Sequence, residues 1–324
     1  MMNELAEDLG SLVALQICRI PLSVTGRWTE SWVTRRRLST EKYDLLHFFP
    51  IGSMTLGSLF RSALWRHHLE GLPVVFHAFQ YPSRLAVTSS LLRVAAGRSG
   101  VVVSPSAQLI REVRRLGVKA YFMAPGVDVN RFRPATIEER RAARQAFNLD
   151  DELPVLLHVG HLRKNRNLRV LAQLPGQGFN VTMIVSPRLE ADPNVREFLL
   201  RAGVRLVTGA IADIRTAYWA ADCYVFPAIE AHSAVGVPLS VIEALACGTP
   251  VVSTRFDGLG EAFPSPVGGL RIAEPQEFPT AVREMVQARQ DPGQIASIAR
   301  SRFARRRIAG DVVSIYQEIL DDSH

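Results

Sequence analysis

Short apolar runs alternate with segments of helical periodicity along most of this 324-residue chain. The runs are four to six residues long and consist mainly of Val, Leu, Ile and Phe, which is typical of strands buried on both faces of a parallel sheet. Repeated alternation of such strands with helices predicts a doubly wound α/β fold. The candidate strands are Val13 to Ile17, Asp44 to Phe48, Pro73 to Phe76, Gly100 to Val103, Lys119 to Met123, Val155 to Val159, Asn180 to Val185, Val204 to Val207, Cys223 to Phe226 and Pro250 to Ser253.

The alternation pauses once, near Arg133 and Pro134, where a polar helical segment over residues 137–147 precedes the next strand. Five candidate strands come before the pause and five come after it. The length suits about two domains, so we predict two Rossmann-like domains facing a cleft, spanning residues 1–134 and 135–324. Apolar residues at helical spacing predict that an amphipathic helix over about residues 301–320 closes the second domain.

The formal charge of +7, from 38 Lys and Arg against 31 Asp and Glu, favours an anionic partner: nucleic acid, anionic lipid or a phosphorylated small molecule. Nucleic acid is disfavoured, because the cations lack both an interleaved aromatic platform and a helix-turn-helix pattern. Three dispersed cysteines are too few for a disulfide framework or a zinc cluster. The amino terminus has no secretory pattern and no apolar run is long enough to cross a bilayer, so the sequence predicts a cytoplasmic protein.

A basic loop follows the candidate strand that ends at Val159. It carries Arg163, Lys164 and Arg166, a set of cations that suits a diphosphate because an Arg fork holds two oxygens at once. In an open α/β sheet, ligands bind beyond the carboxyl ends of the strands, where this loop lies. The alternative is an ordinary solvated basic loop.

A second loop, over residues 230–238, leads into a predicted helix that carries Glu243. Gly236 allows close approach of the backbone to a ligand, and Pro238 suits the first turn of a helix whose free N–H groups attract phosphate. The neighbours of Glu243 are apolar, so the helix is predicted to be largely buried, and a buried carboxylate requires a partner. A ribose diol would be such a partner; the alternative is an ordinary surface Glu.

Several common nucleotide and metal motifs are missing from the sequence. It has no GxxxxGK[ST] loop, no HExxH and no GxGxxG after a strand, and it lacks an Asp-x-Asp pair. We therefore expect neither a metal nor a tightly bound cofactor.

The segment from Val237 to Val252 resembles the signature helix of glycosyltransferase family 4 (group 1), a family of retaining enzymes with the GT-B fold. Three further stretches agree with this family in order and spacing: residues 126–134, residues 155–167 and the Ile-Tyr-Gln sequence at 315–317. The resemblance runs from about Tyr43 to the carboxyl terminus.

The resemblance implies that the second domain binds a nucleotide-diphosphate sugar, while the first binds the acceptor, whose identity stays open between a glycan, a lipid-linked molecule and a small molecule. Arg166 matches the family's phosphate-binding Lys, and Glu243 matches the second Glu of its signature, which holds the ribose. Gly236 and Val237 match backbone positions that face the diphosphate and the sugar. His77 is similar in place to a first-domain His that approaches the donor sugar; by itself, a lone His at a strand end is more often structural.

The resemblance has three departures. Val235 stands where the first signature Glu is expected, and Glu230 or His232 is a candidate to contact the donor sugar instead. His161 stands where the family usually has an Arg, and Arg163 and Lys164 are candidates to compensate. The chain also begins as if inside a helix, without the family's first strand and Gly-rich loop, so we expect either a start further upstream or a remodelled first domain.

The leading hypothesis is a retaining, hexosyltransferase-type glycosyltransferase that works by electrostatic stabilisation of the leaving diphosphate. The alternative is a catalytically weak GT-B-like subunit that binds a nucleotide or a partner glycosyltransferase, and a sugar-nucleotide epimerase is a further enzyme alternative. Basic clusters at residues 111–115, 140–144 and 302–307 are either solvated helix faces or, for the first cluster, a contact with anionic lipid at the inner face of the membrane.

Overall fold

The computed structural model describes residues 2–17, 42–50, 54–69, 71–82, 89–96, 100–149, 152–186, 190–209 and 211–322. They form two compact units. The first unit comprises Met1–Ala124 together with Arg305–His324, and the second unit comprises Pro125–Ala304. In chain order the elements are α1 (Met2–Gly10), β1 (Leu46–Phe48), α2 (Leu56–His68), β2 (Val74–His77), α3 (Ser89–Ala96), β3 (Val101–Ser104), α4 (Ala107–Arg115), β4 (Ala120–Phe122), α5 (Ile137–Ala146), β5 (Val155–Gly160), β6 (Asn180–Val185), α6 (Pro193–Arg201), β7 (Arg205–Val207), α7 (Arg215–Ala220), β8 (Cys223–Phe226), α8 (Leu239–Ala246), β9 (Val251–Ser253), α9 (Leu259–Ala262), β10 (Leu270–Ile272), α10 (Phe278–Gln287), α11 (Pro292–Phe303) and α12 (Arg305–Asp321).

The first unit holds a parallel sheet with the strand order β1-β2-β3-β4. Alternate residues of each strand point to opposite faces of the sheet, and both sets are mainly apolar. Phe76 and Val102 belong to a core that includes residues of α2, α3 and α4. Val75 and Val103 belong to a second core, which is completed by α1 and α12. Helices therefore cover both faces, as expected of a doubly wound sheet.

The second unit holds a six-stranded parallel sheet with the order β10-β9-β8-β5-β6-β7. Two runs of strands diverge from its centre: β5, β6 and β7 lead one way, and β8, β9 and β10 lead the other. β5 is paired with β6 from Val155 to Gly160 and with β8 at Leu156 and Leu157. The gap between β5 and β8 is thus the topological switch point, where ligands of open α/β sheets bind.

The predicted α/β class with two parallel sheets is confirmed, and nine of the ten candidate strands overlap a strand of the structure. The strand predicted from Val13 to Ile17 is wrong. These residues form no strand, and Leu15 and Ile17 are 38% and 61% exposed, so their apolar side chains gain little from burial. The sequence analysis also missed β10.

The structure divides the chain differently from the prediction. The first unit ends at Ala124 rather than near residue 134, because the following segment is bonded into the second unit. The Val127 N–H donates to the Phe303 carbonyl at 2.7 Å, and the indole N–H of Trp219 donates to the Arg133 carbonyl at 2.7 Å.

The predicted closing helix is also corrected. It is split at Ala304 into α11 and α12, and α12 belongs to the first unit. Its apolar residues, including Ile308 and Val312, pack in the core that α1 and the sheet share, and the Arg305 side chain contacts Asp8 of α1 at 3.1 Å. Helical periodicity showed that this segment has an apolar face but not which sheet that face covers.

Candidate functional site

The site predicted from the sequence lies at the switch point of the second unit's sheet. The basic loop leaves the carboxyl end of β5, forms a 3₁₀ turn over Lys164–Arg166 and passes through Asn167, whose φ of 53° is left-handed. The Asn167 side-chain amide donates to the Pro227 carbonyl at 2.9 Å, just beyond β8. This bond fixes the basic loop across the gap between the two central strands.

Arg166 differs from the other two predicted cations of this loop. Arg163 is exposed, and the side chain of Lys164 is 75% exposed with its Nζ 4.0 Å from Asp192. Arg166 is half-buried, and burial lowers the pKa of its guanidinium. Among the described residues, no carboxylate forms an ion pair with it. A desolvated cation without a counterion is costly to the folded protein, and an anionic ligand relieves that cost.

The loop before α8 and the first turn of this helix lie at the same edge of the sheet. Gly236 and Val237 are buried, and the Gly236 carbonyl accepts from the Gly258 N–H at 3.0 Å. No side chain caps the N-terminus of α8, where Pro238 is the N-cap. Free N–H groups at a helix N-terminus attract anions, so this end of α8 suits a phosphate.

The Tyr224 side chain connects β8 with the end of β5 and with the first turn of α8. It lies on β8, and its hydroxyl is 2.7 Å from Ser240 Oγ in the first turn of α8 and 3.4 Å from the Val159 carbonyl at the end of β5. The pKa of the buried Tyr224 hydroxyl is raised, chiefly by desolvation. A neutral, bonded tyrosine therefore holds the start of α8 against the strand that precedes the basic loop.

Glu243 is half-buried on α8 and has the protein partner that its apolar neighbours required. The hydroxyl of Tyr218 donates to Glu243 Oε2 at 2.7 Å. Tyr218 is fully buried, and its pKa is raised by desolvation and then by the Glu243 carboxylate, so it stays a donor. The bond from Tyr218 fixes the orientation of the Glu243 carboxylate.

Glu230 and His232 are brought together by the 3₁₀ turn Ala231–Ser233 after β8. His232 Nε2 lies 3.0 Å from Glu230 Oε2, and the two side chains are 40% and 52% exposed. Their contact with a donor sugar stays a prediction, as do the roles of the other site residues.

His77 lies in the first unit, at the end of β2, and is 3% exposed. Its Nδ1 is 3.2 Å from Nε2 of His47, a residue of β1 that the sequence analysis did not single out. Desolvation lowers the pKa of His77 to about 3, so its imidazole is neutral near pH 7.

The sequence analysis missed a histidine in the second unit as well. His158 interrupts the apolar run of β5, and a polar residue in a buried strand was a signal for a bonded group. Its Nδ1 is 2.8 Å from the Val225 carbonyl, and burial lowers its pKa to about 4. A Cβ on Gly160 would come within 2.8 Å of His158 Nε2, so a glycine is needed where β5 ends.

Each of the three basic clusters has members with structural partners. Arg140 and Arg144 of α5 bind the two oxygens of the Asp222 carboxylate at 2.7 and 2.6 Å, and Arg305 contacts Asp8. Arg114, in the cluster of α4, donates twice to the Ala120 carbonyl, at 3.0 and 2.7 Å. In the part of the chain that the structure describes, no group of His, Cys, Asp and Glu is arranged to hold a metal, and no helix is long and apolar enough to cross a membrane.

Residues 153–288, which include the whole of this edge, match the family model described as Glycosyl transferases group 1. Among curated proteins, D-inositol 3-phosphate glycosyltransferase 2 of Catenulispora acidiphila is 30% identical over 221 residues, which are 61% of this chain and 50% of the relative. The D-inositol 3-phosphate glycosyltransferase of Mycobacterium bovis is 32% identical over 193 residues, 56% of this chain and 39% of the relative. The chain spans about half the length of the curated relatives it matches.

Solved structures share the fold at low sequence identity. HepE of Anabaena, solved in complex with UDP, has a TM-score of 0.70 at 19% identity, covering 88% of this chain and 81% of HepE. A glycosyltransferase of Rickettsia africae has a TM-score of 0.73 at 13% identity, covering 94% and 84%. Sucrose-phosphate synthase of Thermosynechococcus elongatus has a TM-score of 0.67 at 18% identity, covering 95% and 82%. The predicted GT-B fold is confirmed.

Proposed function

We propose that this protein is a glycosyltransferase that moves a sugar from a nucleotide-diphosphate sugar to a hydroxyl acceptor with retention of the anomeric configuration. The observation that carries the proposal is the half-buried Arg166, a cation without a described carboxylate partner at the switch point of the sheet. The match of residues 153–288 to the group 1 family model supports it. A UDP-sugar is the first donor to test, because HepE was solved both with UDP and with UDP-glucose.

In this proposal Arg166 and the N-terminus of α8 bind the diphosphate, and Glu243 accepts hydrogen bonds from the two ribose hydroxyls. As the bond from the anomeric carbon to the diphosphate oxygen breaks, negative charge builds up on that oxygen, and the cation and the helix N–H groups stabilise it. The departing diphosphate then takes the proton of the acceptor hydroxyl, which attacks from the same face. We expect no metal in this sequence of steps.

The acceptor is a further proposal. The curated relatives named above are D-inositol 3-phosphate glycosyltransferases, so we include inositol phosphates among the acceptors to be tried. Location in the cytoplasm and contact with anionic lipid through the exposed Arg111 and Arg115 of α4 also stay proposals. Co-sedimentation with phosphatidylserine vesicles at low and high salt tests the second, and the absence of salt-sensitive binding contradicts it.

The test of the function is a panel of UDP-, GDP- and ADP-sugars, assayed for release of the nucleoside diphosphate with and without acceptors. We expect release from one nucleotide class, and we expect Arg166→Ala to reduce it by about ten- to a hundredfold, because charge-assisted bonds to phosphate contribute about 1.5–3 kcal/mol. Glu243→Ala should weaken binding of the nucleotide. Arg169→Ala is the matched control, since Arg169 is an exposed cation of the next turn.

Two results would contradict parts of the proposal. Unchanged turnover in both Arg166→Ala and Glu243→Ala would remove these residues from the donor site. Nucleotide binding without turnover for any donor and acceptor would favour the catalytically weak GT-B-like subunit. The motive for this alternative is Val235, which stands in place of the first signature Glu. Turnover that interconverts two sugar nucleotides without an acceptor would identify an epimerase.

A further inference from the structure

Three side chains of the first unit form a continuous chain of hydrogen bonds. The Tyr316 hydroxyl, on α12, is 2.5 Å from His47 Nδ1, and His47 Nε2 is 3.2 Å from His77 Nδ1. The residues come from α12, β1 and β2, and Tyr316 and His77 are 7% and 3% exposed. In the described part of the chain none of the three has another hydrogen-bonding side chain as partner.

The direction of this chain follows from its first member. A buried tyrosine hydroxyl needs an acceptor for its proton, and His47 Nδ1 is the acceptor within reach. His47 then carries its own proton on Nε2, which donates to His77 Nδ1. His77 in turn carries its proton on Nε2, the ring nitrogen that does not bond to His47. The reverse direction would leave the buried Tyr316 proton without an acceptor.

The surroundings keep both imidazoles neutral and fix their orientation. The His47 and His77 rings lie nearly parallel, with centroids 5.3 Å apart and planes 8° from parallel, which suits a hydrogen bond between their nitrogens. Phe49 stacks on both, with centroids 4.1 Å from His47 and 5.1 Å from His77, and Phe79 lies 4.6 Å from His77. Desolvation lowers the pKa of His47 well below its ordinary value and that of His77 to about 3. Neutral rings each hold one ring proton, so the direction of the chain determines the tautomer.

We propose that His47 and Tyr316 are positioning residues that hold His77 in the tautomer with its proton on Nε2, so that His77 presents a neutral hydrogen-bond donor. The consequence for catalysis rests on the proposed function and on the role that the family resemblance implies for His77. A neutral N–H group at Nε2 donates to a sugar oxygen and cannot take up a proton there. In that role His77 acts as a hydrogen-bond donor and not as a general base.

The tautomers can be read directly in the full chain labelled with ¹⁵N-histidine, by spectra that correlate the ring carbon-bound protons with Nδ1 and Nε2. Signals are assigned with His47→Gln and His77→Gln. We expect both His47 and His77 to carry the proton on Nε2. His158 is an internal reference for the opposite tautomer, because its Nδ1 faces the Val225 carbonyl and must carry the proton. A His77 signal with the proton on Nδ1 in the unmodified protein overturns the proposal.

The variant that tests the chain of hydrogen bonds is Tyr316→Phe, which removes the hydroxyl that determines the direction of these bonds. We expect the single His77 tautomer to become a mixture of two. Tyr121→Phe is the matched control, since Tyr121 of β4 packs against the same core as Tyr316 and no hydrogen bond or ring contact among the described residues joins it to either histidine. Unchanged tautomers in Tyr316→Phe would contradict the proposal. Should this variant fail to fold, the spectrum of the unmodified protein still decides the question.

The catalytic consequence has a separate measurement. With the active donor, Tyr316→Phe should lower kcat by about two- to tenfold relative to Tyr121→Phe, with the affinity for the free nucleoside diphosphate unchanged, since one neutral hydrogen bond is weakened. The spectra need no substrate. Absence of turnover with the expected tautomers therefore contradicts the proposed function alone, while turnover with the wrong His77 tautomer contradicts this inference alone.

Discussion

The two units differ in how their buried and half-buried polar groups are satisfied. In the first unit, His47 and His77 are neutral, bonded to each other and enclosed by aromatic rings. In the second unit, Arg166 is a half-buried cation without a described carboxylate partner, at a sheet edge where α8 has no side-chain cap. The first arrangement is already satisfied by protein groups, whereas the second is completed by an anion. Burial therefore points to a ligand only where the buried group keeps its charge.

The difference predicts opposite responses to acid and to nucleotide. Protonation should destabilise the first unit more, because burial keeps both His47 and His77 neutral there. Nucleotide should stabilise the second unit, because that unit holds Arg166, which has no described carboxylate partner. The first two predictions separate these responses, and the third, with the smallest expected effect, concerns an exposed pair.

Acid should destabilise both units, and the first more than the second. The pKa of His77 is lowered to about 3 and that of His158 to about 4, and His47 is lowered as well, so the unfolded chain binds more protons below its ordinary histidine pKa of about 6.5. Stability therefore falls as the pH drops from about 6.5 towards 4. At pH 5 His77 and His158 each cost about 2 kcal/mol, and the lowered pKa of His47 adds to the loss in the first unit alone.

Hydrogen exchange measured by mass spectrometry at pH 7 and pH 5, with intrinsic rates corrected for pH, resolves the two units. His158→Phe is the comparison variant, and in it the acid-induced loss of stability of the second unit should shrink by about 2 kcal/mol. Equal loss in both units, or a loss in the second unit that this variant does not reduce, would contradict the assignment of the effect to buried neutral histidines.

Much of the second unit could be predicted from the sequence, because its signals are local. The basic loop and the helix that carries Glu243 each lie next to a strand, and ligand sites of open sheets lie at strand ends. Burial within the loop was not predictable: the sequence gives Arg163, Lys164 and Arg166 the same charge, and only tertiary packing makes Arg166 the desolvated one. The partner of Glu243, Tyr218, lies 25 residues earlier on another helix.

The first unit was harder to predict because its main contacts join residues that are far apart in the sequence. The bond between His47 and Tyr316 joins residues 269 positions apart, and no local pattern places α12 on the first sheet. The run from Val13 to Ile17 has the composition of a strand, but composition does not show whether a neighbouring strand is in reach. Hydrophobic periodicity identifies an apolar face, while the choice of the surface it covers depends on the whole chain.

The second prediction concerns Arg166 itself. Arg166→Leu removes a charge that the free protein must keep partly desolvated, so the unliganded protein should become more stable, by about 1 kcal/mol. The same change should reduce stabilisation by nucleotide from about 2.7 kcal/mol to about 0.4–1.4 kcal/mol, at a nucleotide concentration 100 times the Kd of the unmodified protein, if the Kd rises by about ten- to a hundredfold. Thermal unfolding with and without UDP measures both effects.

Arg169→Leu is the control for this comparison, because it removes an exposed cation from the neighbouring turn. It should leave the response to UDP intact. If Arg166→Leu instead destabilised the unliganded protein and kept its response to UDP, Arg166 would be a structural residue, and the contrast between the two units would lose its basis.

The smallest effect is expected at the exposed pair of Glu230 and His232. Exposed ion pairs contribute about 0–1 kcal/mol, so Glu230→Ala and His232→Ala should leave thermal stability nearly unchanged. Any effect on ligand binding then reports contact with the ligand rather than loss of structure. If these residues contact the donor sugar, each change should weaken binding of the active sugar nucleotide by about two- to tenfold, the effect of losing one exposed hydrogen bond, without altering binding of the nucleoside diphosphate alone. Equal weakening of both ligands would place the pair at the nucleotide instead, and no change in either would leave the sugar to be held by groups other than these two.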